Sequence, residues 1–171
     1  MHIYRYENEQ ELKVLHTVCS PVGKDEIIAP EIIEQMFAIM HKHHGIGLAA
    51  PQVGLTQRFF IVEVEQGEPY VFINPEIIST SSEMSVKDEG CLSIPGVFTP
   101  VQRYDRIIMQ AENMHRKIFK LEASGLLAIC LQHELDHLNG VLHVERTTNI
   151  VLRDQVMSKY LRKYKTREKK R

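Results

Sequence analysis

Three observations predict an α+β fold: short β-branched and aromatic runs separated by polar turns, one apolar stretch ending in histidines, and a composition suited to one core. The expected architecture is a single domain of antiparallel β-strands packed around a central helix carrying His-Glu-x-x-His, with a C-terminal helix. At 171 residues, 43% hydrophobic and 25% charged, the chain needs no second domain. Residues 1–171 read as one catalytic domain, with 162–171 as a basic C-terminal tail.

The first element is an amphipathic helix from Pro30 to His44. Pro30 suits its first turn, Ile32, Ile33, Met36, Phe37 and Met40 form one stripe, and Gly45 is placed to end it. Strands follow at Gln57 to Val64, Tyr70 to Ile73, Arg106 to Glu112 and Lys117 to Glu122, and their short connections favour antiparallel pairing. Ser124 is placed to cap a helix running to about Leu138, with Asn139-Gly140 as its stop. A final helix starts at Asn149, with Ile150, Val151, Val156, Met157, Tyr160 and Leu161 at roughly helical spacing.

The chain contains no apolar stretch of membrane-spanning length, and its opening MHIYRYENEQ lacks a basic-then-apolar targeting pattern. A soluble, cytoplasmic protein is expected, with no membrane and no DNA partner. Cys19, Cys91 and Cys130 are odd in number and widely spaced, so reduced thiols are expected rather than a disulfide framework. The net charge of −1 hides a division: residues 153–171 carry nine Lys or Arg against two acids, leaving twelve against twenty in residues 1–152. The basic end reads either as a solvated terminal helix or as a phosphate contact, in which case RNA is the expected partner.

Three blocks carry the chemistry: Gly45 to Gly54 (GIGLAAPQVG), Glu89 to Gly96 (EGCLSIPG) and Gln132 to Gly140 (QHELDHLNG). On a helix, His133 and His137 lie one turn apart on one face, with Glu134 beside them. With nine His and 17 Glu in the chain, about 0.05 chance matches to His-Glu-x-x-His are expected, so context must decide its meaning. The apolar approach Leu126, Leu127, Ile129, Cys130 and Leu131 would bury the two histidines. Metal ligation satisfies most of their polar groups together, whereas a metal-free core needs several separate partners. Two imidazoles need a third ligand, and Cys91, in a glycine- and proline-bounded loop, is the leading candidate. A rival is the metzincin pattern completed by His143, which would make the chain a zinc peptidase; Met157 lacks a Met-turn setting, and the other two blocks then have no role. His143 otherwise reads as a histidine on the strand or turn after the helix. A third possibility is a ribosome-binding protein whose metal site is structural.

Taken in order, the three blocks resemble the signature motifs of the bacterial-type peptide deformylase family, and the resemblance covers roughly residues 30–148. It implies metal ligation by Cys91, His133 and His137, and hydrolysis of the formyl group from N-terminal formyl-methionine of newly synthesised polypeptides, with release of formate. Glu134 would be the general acid and base, with the Gln52 side chain and the Leu92 backbone N–H as oxyanion donors. Ile46, Gly47 and Gly90 would contact the peptide; Ile46, Leu126, Ile129 and Cys130 would line the methionine pocket. The implied cofactor is one Fe(II) per chain, replaceable by Zn(II), Ni(II) or Co(II). The implied partners are nascent formylated polypeptides, with ribosome contact through the basic tail.

Several positions depart from the family pattern. Phe98 stands where several bacterial relatives carry a peptide-contacting arginine, and Lys87 where an aliphatic pocket residue is common. Glu7 to Leu15 lacks the Asp-Pro-x-Leu-Arg opening, and His143 replaces an aromatic or aliphatic residue. Arg103 agrees with the family and is placed to brace the loop of Cys91. No departure removes a catalytic group, and recognition beyond the methionine is left open.

Overall fold

Strand Phe59–Val62 (β2) shows how the chain is layered. All four of its side chains are buried, because alternate residues enter different cores. Phe60 and Val62 join Phe72, Ile107, Met109, Ala128, Cys130 and Leu131 on one face. Phe59 and Ile61 join Ile33, Met36, Met40 and Leu48 on the other. The computed structural model describes residues 1–64 and 68–158.

The sheet runs β1-β2-β3-β6-β7, with β1 at Gly47–Ala49, β3 at Tyr70–Thr80, β6 at Arg106–Glu112 and β7 at Ile118–Ser124. Every neighbouring pair is antiparallel. Helix Glu9–Leu15 (α1) comes first in the chain, then Pro30–Lys42 (α2), which lays Ile33, Met36 and Met40 on one sheet face. Helix Gly125–Leu138 (α3) lays Ala128, Cys130, Leu131 and Leu138 on the opposite face. Strands Met84–Cys91 (β4) and Ile94–Tyr104 (β5) form a separate two-stranded hairpin. A third apolar cluster joins Leu12 and Leu15 of α1 to Cys91, Ile94, Leu142, Val144 and Val156. Short helix His143–Arg146 (α4) and helical residues 150–158 (α5) complete the described chain; Asn149 Oδ1 accepts from the Leu152 N–H at 3.0 Å. Tyr160, Leu161 and the basic tail lie outside the described residues. Among the described residues, no helix is long and apolar enough to cross a membrane.

The expected α+β class and antiparallel pairing agree with this architecture, and several boundaries are corrected. Helix α2 ends at Lys42 because His44, rather than Gly45, takes a left-handed conformation, φ 55°. Strand β3 continues past Ile73 to Thr80; Asn74 has φ 51° and the register shifts between Ile73 and Glu76, a bulge around Pro75, which has no N–H to give a ladder. Strand β7 spans Ile118–Ser124 rather than Lys117 to Glu122. Ser124 occupies the N-cap position of α3 but its side chain makes no capping hydrogen bond. Cys91, expected in a loop, ends β4 at a register shift next to Gly90.

The stop of α3 is tight. Gly140 has φ 71°, and a Cβ added there would lie 2.5 Å from the backbone oxygen of His16. Gly140→Ala combines left-handed strain with a backbone clash and is expected to cost about 2 kcal/mol, read as a lowered urea midpoint with an unchanged denaturant slope.

Candidate metal centre and substrate cavity

Helix α3 brings His133 and His137 to one face, their ring centroids 4.9 Å apart and nearly perpendicular. The β4–β5 hairpin supplies Cys91, whose sulfur lies 3.2 Å from His137 Nε2. One potential ligand atom from each of Cys91, His133 and His137 lies within 4.8 Å of the other two. One sulfur and two imidazoles so grouped fit a divalent transition metal with a position left for water or substrate. Among the described residues, this is the group of His, Cys and carboxylate side chains close enough to hold an ion. His143 is outside it, so the metzincin ligand set is not assembled. Instead of lying on a strand or turn, His143 opens α4, with Nε2 3.3 Å from the Val97 carbonyl.

The ligands are oriented from behind. Glu89 Oε2 accepts from His133 Nδ1 at 2.8 Å, which leaves Nε2 of that ring for a metal. Glu89 is gripped by Arg103 through Nε at 2.7 Å and Nη2 at 3.0 Å. Arg103 Nη1 also donates to Asp136 Oδ2 on α3 at 2.6 Å, and Arg146 Nη2 donates to Asp136 Oδ1 at 2.6 Å. Arg103 therefore ties the strand of Cys91 to the helix of the histidines, as its position suggested. Burial alone would raise the Glu89 pKa, but hydrogen bonds from Arg103 and His133 outweigh it and hold the carboxyl at about 2.

Two buried cysteines near the cavity are prepared differently. Burial opposes ionisation of Cys91, yet the charge of His137 and contacts with His133, His137 and His143 bring its pKa well below the usual thiol value. Cys130 is pushed well above that value by burial and then by the nearby Glu134 and Glu89 carboxylates. Cys91 is thus the sulfur disposed to act as a thiolate ligand. Glu134 is 3% exposed and its Oε2 has no hydrogen-bond partner. Burial raises its pKa to about 7, against the pull of His133 and His137, so it can exchange a proton near neutrality.

Gln52 lies in a 3-10 turn, Ala50–Val53, directly after β1. Its Oε1 accepts from the Ala49 N–H at 2.8 Å, which aims Nε2 toward Cys91 Sγ at 3.5 Å and Ser93 Oγ at 3.2 Å. Gly47 packs against the acid: a Cβ there would lie 2.4 Å from Glu134 Oε1 and 2.8 Å from Cys130 Sγ. A cavity of about 470 Å³ opens beside these groups. Its lining includes Ile46, Gly47, Gln52, Gly90, Cys91, Leu92, Leu126, Ile129, Cys130, His133 and Glu134. His137 is the one sequence-selected site residue that does not line it.

The lining also contains Arg5, His43, His44, Pro95, Val97 and Phe98. Of these, sequence reasoning had singled out only Phe98. Arg5 donates through Nη1 to the Leu92 carbonyl, a contact across 87 positions that no local pattern announces. Lys87 instead lines a neighbouring depression with Asp88, Asp105, Leu126 and Ile129.

Arg103→Met leaves Glu89 and Asp136 buried without their shared cation, and a loss of about 3–5 kcal/mol is expected by denaturant unfolding. Because the folded-state pKa of Glu89 is depressed, its contribution is complete above the ordinary value of 4.5 and is lost as pH falls toward about 2. That acid-dependent loss should be smaller in Arg103→Met, where only the His133 contact still lowers the Glu89 pKa.

A family model described as Polypeptide deformylase matches residues 1–152. The chain is 45% identical to a peptide deformylase of Chromobacterium violaceum over 152 residues, 88% of each chain. It is 42% identical to one from Neisseria meningitidis serogroup C over the same shares. Among solved structures, the peptide deformylase of Synechococcus elongatus in complex with actinonin matches with TM-score 0.84 and 36% identity, over 94% of this chain and 85% of that one. The Thermotoga maritima peptide deformylase matches with TM-score 0.78 and 40% identity, over 86% of this chain and 99% of that one. A ligand cluster backed by Glu89 and Arg103, the match over residues 1–152 and these relatives agree: the chain belongs to the peptide deformylase family, metal-dependent hydrolases that remove the N-terminal formyl group.

Proposed function

We propose that the substrate is the formyl-methionine end of a nascent polypeptide and that Cys91, His133 and His137 hold one Fe(II) per chain in the cytoplasm. The observation that carries this reading is the grouping of those three ligands beside the buried Glu134 in a cavity with an apolar wall. When bound, the ion supplies a Lewis acid that lowers the pKa of water and polarises the formyl carbonyl. The choice of Fe(II) rests on the family resemblance; thiolate and imidazole donors also suit Zn(II), Ni(II) and Co(II). A sulfur that ionises readily is open to oxidation, which accounts for an expected loss of activity in air.

Glu134 takes a proton from the attacking water and delivers it to the departing amine. Gln52 Nε2 and the Leu92 N–H donate to the oxygen that becomes negative, and the Ala49 contact fixes Gln52 in advance. The Ile46 carbonyl accepts from the Glu63 N–H at 2.9 Å, which turns it toward β2. Alternation along the strand then turns the N–H and C=O of Gly47 away from β2, toward the open edge of the sheet. Gly47 is the residue best placed to pair with the substrate backbone as an added strand, with Gly90 and Ile46 beside it. Ile46, Leu126, Ile129 and Cys130 receive the methionine side chain.

The test is anaerobic formate release from a short formyl-Met peptide, with an acetyl-Met control and metal analysis of the same sample. Metal-loaded protein should release formate from the formyl peptide alone; a loaded chain that releases none refutes the reading. Glu134→Gln should keep the metal and lose activity about 100-fold or more. We also assign residues 162–171 to ribosome contact, on the strength of their charge. Deleting them should weaken ribosome association in a salt-sensitive way in co-sedimentation while sparing the short peptide; unchanged sedimentation leaves the tail as a solvated end.

A further inference from the structure

Tyr4, Arg5 and Tyr6 precede α1, and the proposed chemistry does not use them. Each nevertheless makes a polar contact with one of the two turns that carry the proposed oxyanion donors. The Tyr4 N–H donates to the Gln52 carbonyl at 2.7 Å, and the Tyr6 N–H donates to the Ser93 carbonyl at 3.1 Å. Between them, Arg5 Nη1 donates to the Leu92 carbonyl. The segment is itself anchored: the Arg5 N–H donates to Glu11 Oε2 at 2.6 Å, and Tyr6 is buried with Leu12, Leu15, Cys91 and Ile94. The turn that Arg5 and Tyr6 meet is in need of such support. Leu92 and Ser93 alone join β4 to β5, and neither has a positive φ. The turn is therefore not of the primed kind whose twist matches a two-residue hairpin, and its shape depends on contacts from elsewhere in the fold.

We propose that residues 4–6 are a strap that aligns the two oxyanion donors, with Arg5 a positioning residue for the Leu92 N–H. Tyr4 fixes the backbone of Gln52, while Arg5 and Tyr6 fix the two peptide units that follow the Leu92 N–H. The bond from the guanidinium is charge-assisted and so the strongest of the three. The 3-10 turn of Gln52 and the hairpin turn of Leu92 belong to different parts of the fold, and the strap is bonded to both. An oxyanion donor is worth most when its direction is set before the charge develops.

The strap's role rests on Gln52 and the Leu92 N–H being the oxyanion donors, and the test separates the two readings. The nickel-loaded parent, Arg5→Met and Gln52→Ala are compared for release of the free methionyl amine from a formyl-Met peptide and from its thioformyl analogue. Sulfur accepts hydrogen bonds more weakly than oxygen, so a misaligned donor costs less on the thioformyl peptide. Arg5→Met should lower kcat on the formyl peptide about 10-fold with KM nearly unchanged, and lose less on the thioformyl peptide. In the same samples, hydrogen exchange at the Leu92 and Ser93 amides should be faster in Arg5→Met than in the parent. Should Arg5→Met not fold, Arg5→Gln gives the same comparison. An unchanged kcat, equal losses on the two substrates, unchanged exchange, or a rise in KM alone overturns the proposal, the last by making Arg5 a contact for the peptide. A Gln52→Ala variant that keeps the parental kcat overturns the oxyanion assignment itself.

Discussion

The Arg103 guanidinium, shared between Glu89 of β4 and Asp136 of α3, joins the two parts of the fold that must meet for the site to exist. The β4–β5 hairpin is not hydrogen-bonded into the five-stranded sheet. Its apolar attachment near Cys91 sets proximity but not orientation, because hydrophobic contact is non-directional. The planar guanidinium adds direction: Nε and Nη2 address one carboxylate and Nη1 the other. A lysine would offer a point charge and could not hold two carboxylates in fixed planes. Burying these ions is costly, and two anions around one cation would leave an excess negative charge. Arg146, half exposed, supplies the second cation to Asp136, and His133 supplies a donor to Glu89. Every link is a charge-assisted bond of 2.6–3.0 Å, which is the condition under which a buried ionic cluster is tolerated.

The same logic explains how α3 carries so many polar residues inside. Gln132, His133, Glu134, Asp136 and His137 are all buried on its last turns. Gln132 is matched on both sides of its amide, giving to the Tyr104 carbonyl and accepting from the Tyr104 N–H. Asp136 is matched by two arginines, and His133 by Glu89. Of the four buried side-chain atoms without a partner among the described residues, Glu134 Oε2, His137 Nδ1 and His143 Nδ1 lie on or near the ligands, and Thr99 Oγ1 lies on β5 opposite Glu89. Three of these four atoms lie on or near the candidate ligands, so most of the unspent side-chain hydrogen-bonding capacity among the described residues is concentrated where a reaction can use it.

Legibility in the sequence followed the physical character of each element. Helix α2 and strand β6 were readable from their apolar periodicity, and α3 from its apolar run, with Pro30 marking the start of α2 and Gly140 the stop of α3. The hairpin was not readable: β4 runs Met-Ser-Val-Lys-Asp-Glu-Gly-Cys with most of its residues exposed, and β5 holds Pro95 and Pro100. Neither shows the alternation that identifies a half-buried strand. Helix α1 was missed because seven residues barely exceed the noise of periodicity. The ligand cluster was legible where side-chain type implies chemistry, as with Cys91 and His133, whereas Gln52 was singled out only through the family resemblance. The site was illegible where a role depends on a distant neighbour: Arg5 meets Leu92 only through the fold, and the orphaned nitrogen of His143 is a property of packing.

Strand β1 shows how protection and function coincide. An edge strand exposes unpaired backbone groups and invites pairing with other chains, and natural proteins commonly shorten such edges. Here the edge is three residues long, because Ala50-Pro51 turns the chain at once into a 3-10 helix. Pro51 has no N–H to extend the ladder. The turn that ends the strand also buries Gln52, and the Ala49 N–H just before it orients that side chain. What remains open at the edge is little more than Gly47, whose missing Cβ leaves room for Glu134. One backbone turn therefore limits the open edge to a length that matches the proposed pairing of a short peptide at Gly47, and it sets the Gln52 amide beside the same opening.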